Sequence, residues 1–303
     1  MPNSPPREPR AMLPTDDPAR TDRPAPTGHP DGGPGVDLLV MTLDATDPEI
    51  NTRLAPLLDD EERARAARFH FDRDRRTYIA AHALVRSVLA ARTGIAPAGL
   101  RFTAGARGKP ELAAGQMPVL ADGRPALRFN LSHTREAVAV AVTTDPACAA
   151  TDLGVDVEAA DRLGDYDARI ARSFFAEDEA AALEALPTAA DRARRFLTLW
   201  TLKEAVIKTT GQGLSQKLSG FSIRFPAAWP AEGLLPDIEA RDPAPPMGLT
   251  WHLSHRELPP ADGRGGLHLA GALLAPVRQP RPRWRLHRVT AAMLPQLHLQ
   301  AAG

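Results

Sequence analysis

Cysteine is almost missing from this chain: Cys148 is the only one among 303 residues. That excludes an internal disulfide and any metal site built from several thiolates, and Cys148 reads as a small buried apolar residue. Excess charge is missing too, because 37 basic side chains face 37 acidic ones, so no global field draws the protein to nucleic acid or to a membrane surface. Long apolar runs are absent, and the N-terminus carries prolines, arginines and aspartates where a signal peptide needs an apolar core. The expectation is a cytoplasmic monomer that neither spans a membrane nor binds nucleic acid.

Proline, by contrast, is plentiful, and it is concentrated at the start. Residues 1–36 hold ten prolines and four glycines with almost no large apolar side chains, so they cannot bury enough surface to offset the entropy of ordering. They read as a disordered extension, with a Pro-rich docking segment as the alternative. The length of the remainder allows one large domain or two of about 100 to 150 residues.

Local patterns place the elements. Val36 to Leu43 is a β-branched apolar run and reads as the first strand. Asp59, Asp60, Glu61 and Glu62 mark a helix start, and a second helix runs from about Arg73 to Arg92, stopped by Gly94. Short strands are expected at Leu100–Thr103, Ala126–Leu131 and Ala137–Thr143. A helix from about Ala189 to Thr209 carries the apolar stripe Phe196, Leu199, Trp200, Val206 and Ile207. Residues 226–248 read as a surface loop. Two closing antiparallel strands follow at Leu249–Arg256 and Leu267–Leu274, then a strand near Arg283–Val289 and a short helix. A faint internal echo at an offset of 119 relates Arg75, Arg76 and Gly94 to Arg194, Arg195 and Gly213.

The chemistry concentrates in two stretches. In Gly154-Val155-Asp156-Val157-Glu158 the strand period of two puts both carboxylates on one face. Like charges that close repel, so the pair calls for a cation or a proton, unless the face is simply solvated. On the Ala189–Thr209 helix Glu204 and Lys208 stand four apart and share a face, as an ordinary helical ion pair does and as an oxygen ligand beside a phosphate-binding ammonium also would. Ser132 and His133 are neighbours, but adjacent strand residues point to opposite faces and no G-x-S-x-G elbow exists, so a nucleophilic triad is not expected. Gly211 and Gly213 follow a helix rather than open one, which fails the dinucleotide fingerprint. Arg63, Arg65, Arg75, Arg76 and Arg86 make a guanidinium-rich segment, read either as surface ion pairs or as a phosphate cradle.

Taken in order, Gly108-Lys109-Pro110, Phe129-Asn130-Leu131-Ser132-His133-Thr134, Gly154 to Glu158, Phe174-Phe175, and Trp200-Thr201-Leu202-Lys203-Glu204-Ala205 with Lys208 and Gly211-Gln212-Gly213-Leu214 resemble the 4'-phosphopantetheinyl transferases of the two-half, Sfp-like type. The resemblance spans roughly residues 37 to 275. It implies an α+β fold of two similar α/β halves related by a pseudo-twofold, with an N-terminal half at 37–148, a C-terminal half at 149–290 and a tail at 291–303. It implies a holo-acyl-carrier-protein synthase activity: transfer of 4'-phosphopantetheine from coenzyme A to a serine of an apo acyl- or peptidyl-carrier protein. Mg2+ is the implied cofactor, on Asp156, Glu158 and Glu204.

By the same resemblance Arg76 and Arg65 hold the 3'-phosphate of coenzyme A, although Glu62 falls where many relatives carry lysine. Gly108, Lys109 and Pro110 border its adenine. Ser132 and His133 approach the diphosphate, with Asp156 and Lys208, while Lys203 meets either the phosphate or solvent. Glu204, or a metal-bound water, takes the serine proton. Carrier recognition falls on exposed residues between Asp161 and Leu186. Two other classes stay open on the residues themselves: a Mg2+-dependent phosphohydrolase using water, and a non-catalytic coenzyme A or carrier-binding module.

Overall fold

A computed structural model describes residues 35–297 apart from 45–46, 48, 106–107, 144–151, 163–167, 212–215, 227–234, 241–244 and 260–265. Residues 1–34 of the Pro-rich extension, Cys148 and Gly213 therefore lie outside the described residues, while Gly35 and Val36 open the first strand. In chain order the elements are β1 (Gly35–Thr42), α1 (Ile50–Leu54), α2 (Asp60–Ala67), α3 (Asp72–Thr93), β2 (Phe102–Ala104), β3 (Pro110–Leu112), β4 (Phe129–His133), β5 (Ala137–Thr143) and β6 (Asp152–Ala159). Then come α4 (Ala168–Phe174), α5 (Glu177–Glu184), α6 (Ala189–Thr210), β7 (Phe221–Arg224), β8 (Asp237–Ala240), β9 (Leu249–Leu258), β10 (Leu267–Pro276) and β11 (Arg283–Arg288). The fold is mixed α+β, and among the described residues no helix is long and apolar enough to cross a membrane.

Two sheets form the centre. One has the order β11-β1-β5-β4 and the other β6-β10-β9, with two small hairpins, β2-β3 and β7-β8, at the side. Alternation along the strands sorts side chains into three cores. Val36, Leu38 and Val40 of β1 and Ala137, Ala139 and Ala141 of β5 meet Val155, Val157, Leu269 and Leu273 between the sheets. Leu39, Met41, Val138, Val140 and Val142, on the opposite face of the first sheet, pack under α3. Ala270, Ala272 and Leu253 of the second sheet pack under α6 with Phe196, Leu199, Leu202 and Ala205. The layering is thus helix, sheet, sheet, helix, and each fully buried Leu or Val contributes roughly 1.5–3 kcal/mol.

Local signals explain the helix ends. Asp59 caps α2 by accepting from the Glu62 amide at 2.9 Å, and the Glu62 carboxylate reaches back to the Asp59 amide at 3.3 Å. Thr188 caps α6 through the Asp191 amide. Gly94 and Gly211 end α3 and α6 in the left-handed region, at φ 72° and 65°.

A repeat runs through this list at an offset of 117 rather than 119. It relates β1 to β6, α2 to α5 and α3 to α6, each pair equal in length, and Gly94 to Gly211. Strand order repeats as well, β1-β5-β4 against β6-β10-β9. The expected offset paired Gly94 with Gly213, whereas the cap that stops α6 is Gly211.

At the C-terminus β11 pairs in parallel with β1, Gly35 against Arg283 and Val40 against Arg288. Trp284 fills the space over Gly271, where a Cβ would stand 2.3 Å from its ring. Val289, Ala291 and Leu294 then enter the core under α3. The expected loop at 226–248 also contains a strand, since β8 pairs with β7.

Candidate active site

The site forms where β4, β6 and α6 converge. Gly154 makes the convergence close: a Cβ there would lie 2.1 Å from the Ala205 carbonyl oxygen and 2.5 Å from Thr209 Oγ1. With no side chain at 154, α6 settles directly on β6. Asn130 holds β4 to the same strand by accepting from the Val155 amide at 2.9 Å. The valines of β6 then face the inter-sheet core, and Asp156 and Glu158 face the helix.

Both carboxylates are buried, at 4% and 5% exposure, so the solvated-face alternative fails. Lys208 Nζ donates to Asp156 Oδ1 at 2.6 Å and to Ser132 Oγ at 2.7 Å, and Ser132 donates to the same Asp156 oxygen at 2.9 Å. The other oxygen, Asp156 Oδ2, is buried without a hydrogen-bond partner. Trp200 Nε1 donates to Glu158 Oε1 at 3.1 Å. Trp200, Glu204 and Lys208 are spaced i, i+4, i+8 and share one stripe of α6, so Glu204, half-buried, lies between the two residues that grip the β6 carboxylates. Sequence reading took Trp200 as core and gave Asn130 no role. A buried indole N–H needs an acceptor, and that requirement was the available signal for Trp200.

An orphaned buried oxygen beside a second carboxylate on the same face suits a hard divalent cation, and Mg2+ binds through one or two carboxylates plus substrate phosphates rather than an all-protein cage. Asp156 and Glu158 fit that donor set. Among the described residues no three His, Cys, Asp or Glu side chains gather into a ready-made cluster, and Glu204, half-buried, stands on the stripe of α6 that faces the two carboxylates.

His133, on β4 beside Ser132, is exposed as a residue. Partial desolvation of its ring holds the imidazole below its usual pKa, and the charges of Lys208 and His82 lower it further against the opposing pull of Asp156. His82 sits on α3 and its ring lies tilted against Tyr78 with ring centroids 4.0 Å apart. The exposed Arg65 guanidinium lies 5.7 Å from the centroid of that tyrosine. Arg76 is half-buried, with its Nε buried and unpartnered. A band of cationic and imidazole groups therefore extends over α2 and α3, toward His133 and Lys208.

The other arginines are structural. Arg86 is fully buried and donates to Glu62 and Asp59 at 2.5 Å and to the carbonyls of Pro97 and Leu100. Arg63 caps the Leu58 carbonyl and Arg75 pairs with Asp72. Glu62 also takes His82 Nδ1 at 2.7 Å, and these hydrogen bonds outweigh burial to hold its carboxyl below the usual range.

One expected ligand contact needs correction, and a second lysine among the expected ligand residues also points its side chain into the protein. Lys203 touches neither phosphate nor solvent: it is fully buried, pairs with Glu179 at 2.7 Å and donates to the carbonyls of Leu218 and Phe221. It points away from Glu204 because consecutive helix residues are about 100° apart. The Lys109 ammonium turns inward as well, pairing with Asp152 and donating to the Leu153 carbonyl at 2.9 Å and the Thr209 carbonyl at 3.4 Å. Gly108, at φ 83°, leaves an open turn, and Pro110 begins β3.

With this geometry in hand, comparison with known proteins assigns the class. The sequence pattern of the 4'-phosphopantetheinyl transferase superfamily matches residues 152–240, and that of the 4'-phosphopantetheinyl transferase N-terminal region matches 45–145. The chain belongs to the 4'-phosphopantetheinyl transferase superfamily and is Sfp-like. Among its relatives is the 4'-phosphopantetheinyl transferase HetI of Nostoc sp. strain PCC 7120, 32% identical over 65% of this chain and 77% of the relative. The 4'-phosphopantetheinyl transferase psf-1 of Bacillus pumilus is 33% identical over 62% and 72%. The 4'-phosphopantetheinyl transferase Sfp of Bacillus subtilis strain 168 is 30% identical over 58% and 70%.

Proposed function

We propose that this chain transfers the 4'-phosphopantetheine arm of coenzyme A to a serine hydroxyl of an apo acyl- or peptidyl-carrier protein, releasing adenosine 3',5'-bisphosphate. The observation that carries the reading is Asp156: a buried carboxylate with one oxygen held by Lys208 and Ser132 and the other left without a partner. A buried carboxylate oxygen without a partner calls for one, and a bound cation supplies it.

In the reaction a bond forms between the carrier serine oxygen and the phosphorus bearing pantetheine, and the bond from that phosphorus to the adenosine bisphosphate oxygen breaks. Mg2+, held by Asp156, Glu158 and Glu204, would neutralise charge on the diphosphate. Glu204, on the same stripe of α6 as Lys208, accepts the serine proton as the nucleophile closes. Lys208 supplies an ammonium to the diphosphate oxygens and to charge developing on the leaving group. His133, its imidazole biased toward the neutral form, gives a hydrogen bond there rather than a second full charge. Arg76 and Arg65 receive the 3'-phosphate, and the backbone of Gly108, Lys109 and Pro110 borders the adenine.

We also assign the chain two halves, 37–148 and 149–290 with β11 crossing back, related by a pseudo-twofold. The 117-residue offset and the repeated strand order support that assignment. The deciding test of function incubates the protein with coenzyme A, Mg2+ and a panel of apo carriers and follows intact carrier mass. A gain of one phosphopantetheine group is expected. Consumption of coenzyme A with an unmodified carrier would identify a phosphohydrolase, and binding without turnover a non-catalytic module.

A further inference from the structure

Lys109 joins parts of the molecule that are distant in sequence. It sits between β2 and β3 of the first hairpin, yet its ammonium contacts residue 152 at the start of β6, residue 153 beside it, and residue 209 in the last turn of α6. The side chain is only 12% exposed, so these bonds are little diluted by water. Thr209 follows Lys208, and Leu153 stands three residues before Asp156. Last-turn carbonyls of a helix lack intrahelical partners and carry the negative end of its dipole, which makes an ammonium there favourable. Gly154 lets α6 approach β6, but a bare glycine contact resists sliding poorly. Lys208 on Asp156 and Trp200 on Glu158 join the two elements along their length, and Lys109 adds a link at the end of the helix.

We infer that Lys109 is a positioning residue for the transfer reaction: its side chain clamps the end of α6 to the start of β6 and so sets the meeting of Lys208 with Asp156, while touching no ligand itself. This rests on the transferase reading for its kinetic consequence but not for its structural one. The clamp also ties the turn at Gly108 to the catalytic pair, so the two ends of the proposed coenzyme A site share one rigid connection.

The test is Lys109→Met, which keeps length and apolar bulk. Amide hydrogen exchange by mass spectrometry should rise at least about 10-fold in residues 205–210 and 152–157 and stay unchanged in residues 72–93, because the opening is local. Where the wild type transfers phosphopantetheine, kcat should fall about 10- to 100-fold with KM for coenzyme A within about 2-fold, the pattern of misplaced catalytic groups. Lys109→Met combined with Asp152→Asn should be no worse than Lys109→Met alone, since both act through one contact. Unchanged exchange in both segments overturns the inference even if no carrier is ever modified. A raised KM with kcat intact also overturns it, and returns Lys109 to the ligand.

Discussion

Leu39 and Met41 on β1 stand 117 residues before Asp156 and Glu158 on β6, and Ala83, Ser87 and Ala91 on α3 stand 117 before Trp200, Glu204 and Lys208 on α6. In the first half the strand positions are apolar and packed under α3. In the second half the same positions are carboxylates, as deeply buried, and are tolerated because Lys208, Ser132 and Trp200 contact them. The elements outside these positions agree closely. Glu62 with Arg86 and Glu179 with Lys203 also stand 117 apart, each glutamate tying a short helix to a buried cation that reaches two backbone carbonyls. At these matched positions one strand and helix carry chemistry where the other pair keeps its core. Burying a charge costs several kcal/mol, so β6 gives up stability that β1 retains.

The sharpest break of that comparison removes the acid from the second copy. Asp156→Ala or Glu204→Ala should abolish carrier modification, a loss of at least about 10²-fold, with circular dichroism unchanged. Normal transfer by either variant would reduce the second half to a scaffold like the first.

The matched buried cations come next. Lys203→Met should cost about 3–5 kcal/mol in urea unfolding because it strands the buried Glu179 carboxylate, and Arg86→Met should cost less because Glu62 is only partly buried and keeps His82. They should differ in pH dependence. Burial already raises the Glu179 carboxyl above its ordinary value against the pull of Lys203, so without the ammonium it rises further. A carboxyl with a raised folded pKa stabilises the fold at low pH and loses that contribution as pH climbs through the folded value. The Lys203→Met penalty should therefore shrink toward pH 5. Glu62 is held below its usual range, and the Arg86→Met penalty should not shrink in the same way.

Gly154→Ala should cost about 1–3 kcal/mol, since the new methyl meets the Ala205 carbonyl and Thr209. It should also slow transfer by lifting α6 from β6. Arg76→Ala should raise KM for coenzyme A about 10-fold, worth ~1.4 kcal/mol, with kcat nearly kept.

A further prediction concerns a histidine pair on β9 and β10. His255 Nε2 and His268 Nδ1 lie 3.2 Å apart and both residues are buried. Burial, the neighbouring imidazole and Arg194 hold His255 well below the ordinary imidazole pKa. Burial and Arg194 also lower His268, against Glu257. Below about pH 6.5 the unfolded chain takes up protons that the folded pair refuses, so stability should fall by up to about 1.4 kcal/mol per pH unit for each histidine. The urea midpoint of the wild type measured from pH 7.5 to 5.5, beside His255→Leu, checks this. The variant should show the flatter profile.

Periodicity and caps were enough to place most elements. Asp59 with Glu62, Gly94, and the alternation of Val155 and Val157 with Asp156 and Glu158 are local signals, legible because they act through neighbours in the chain. The same locality announced that two acids would share a face and that Glu204 and Lys208 would share another. Sequence could not show that β11 returns to β1, that Lys203 and Lys109 turn into the protein, or that Trp200 grips Glu158. Each of those depends on partners tens to hundreds of residues away, and a helix residue's azimuth becomes a contact only when a second element is laid against it. Gly154 decides how closely α6 lies on β6, and with that which carboxylate oxygen is held and which is left bare.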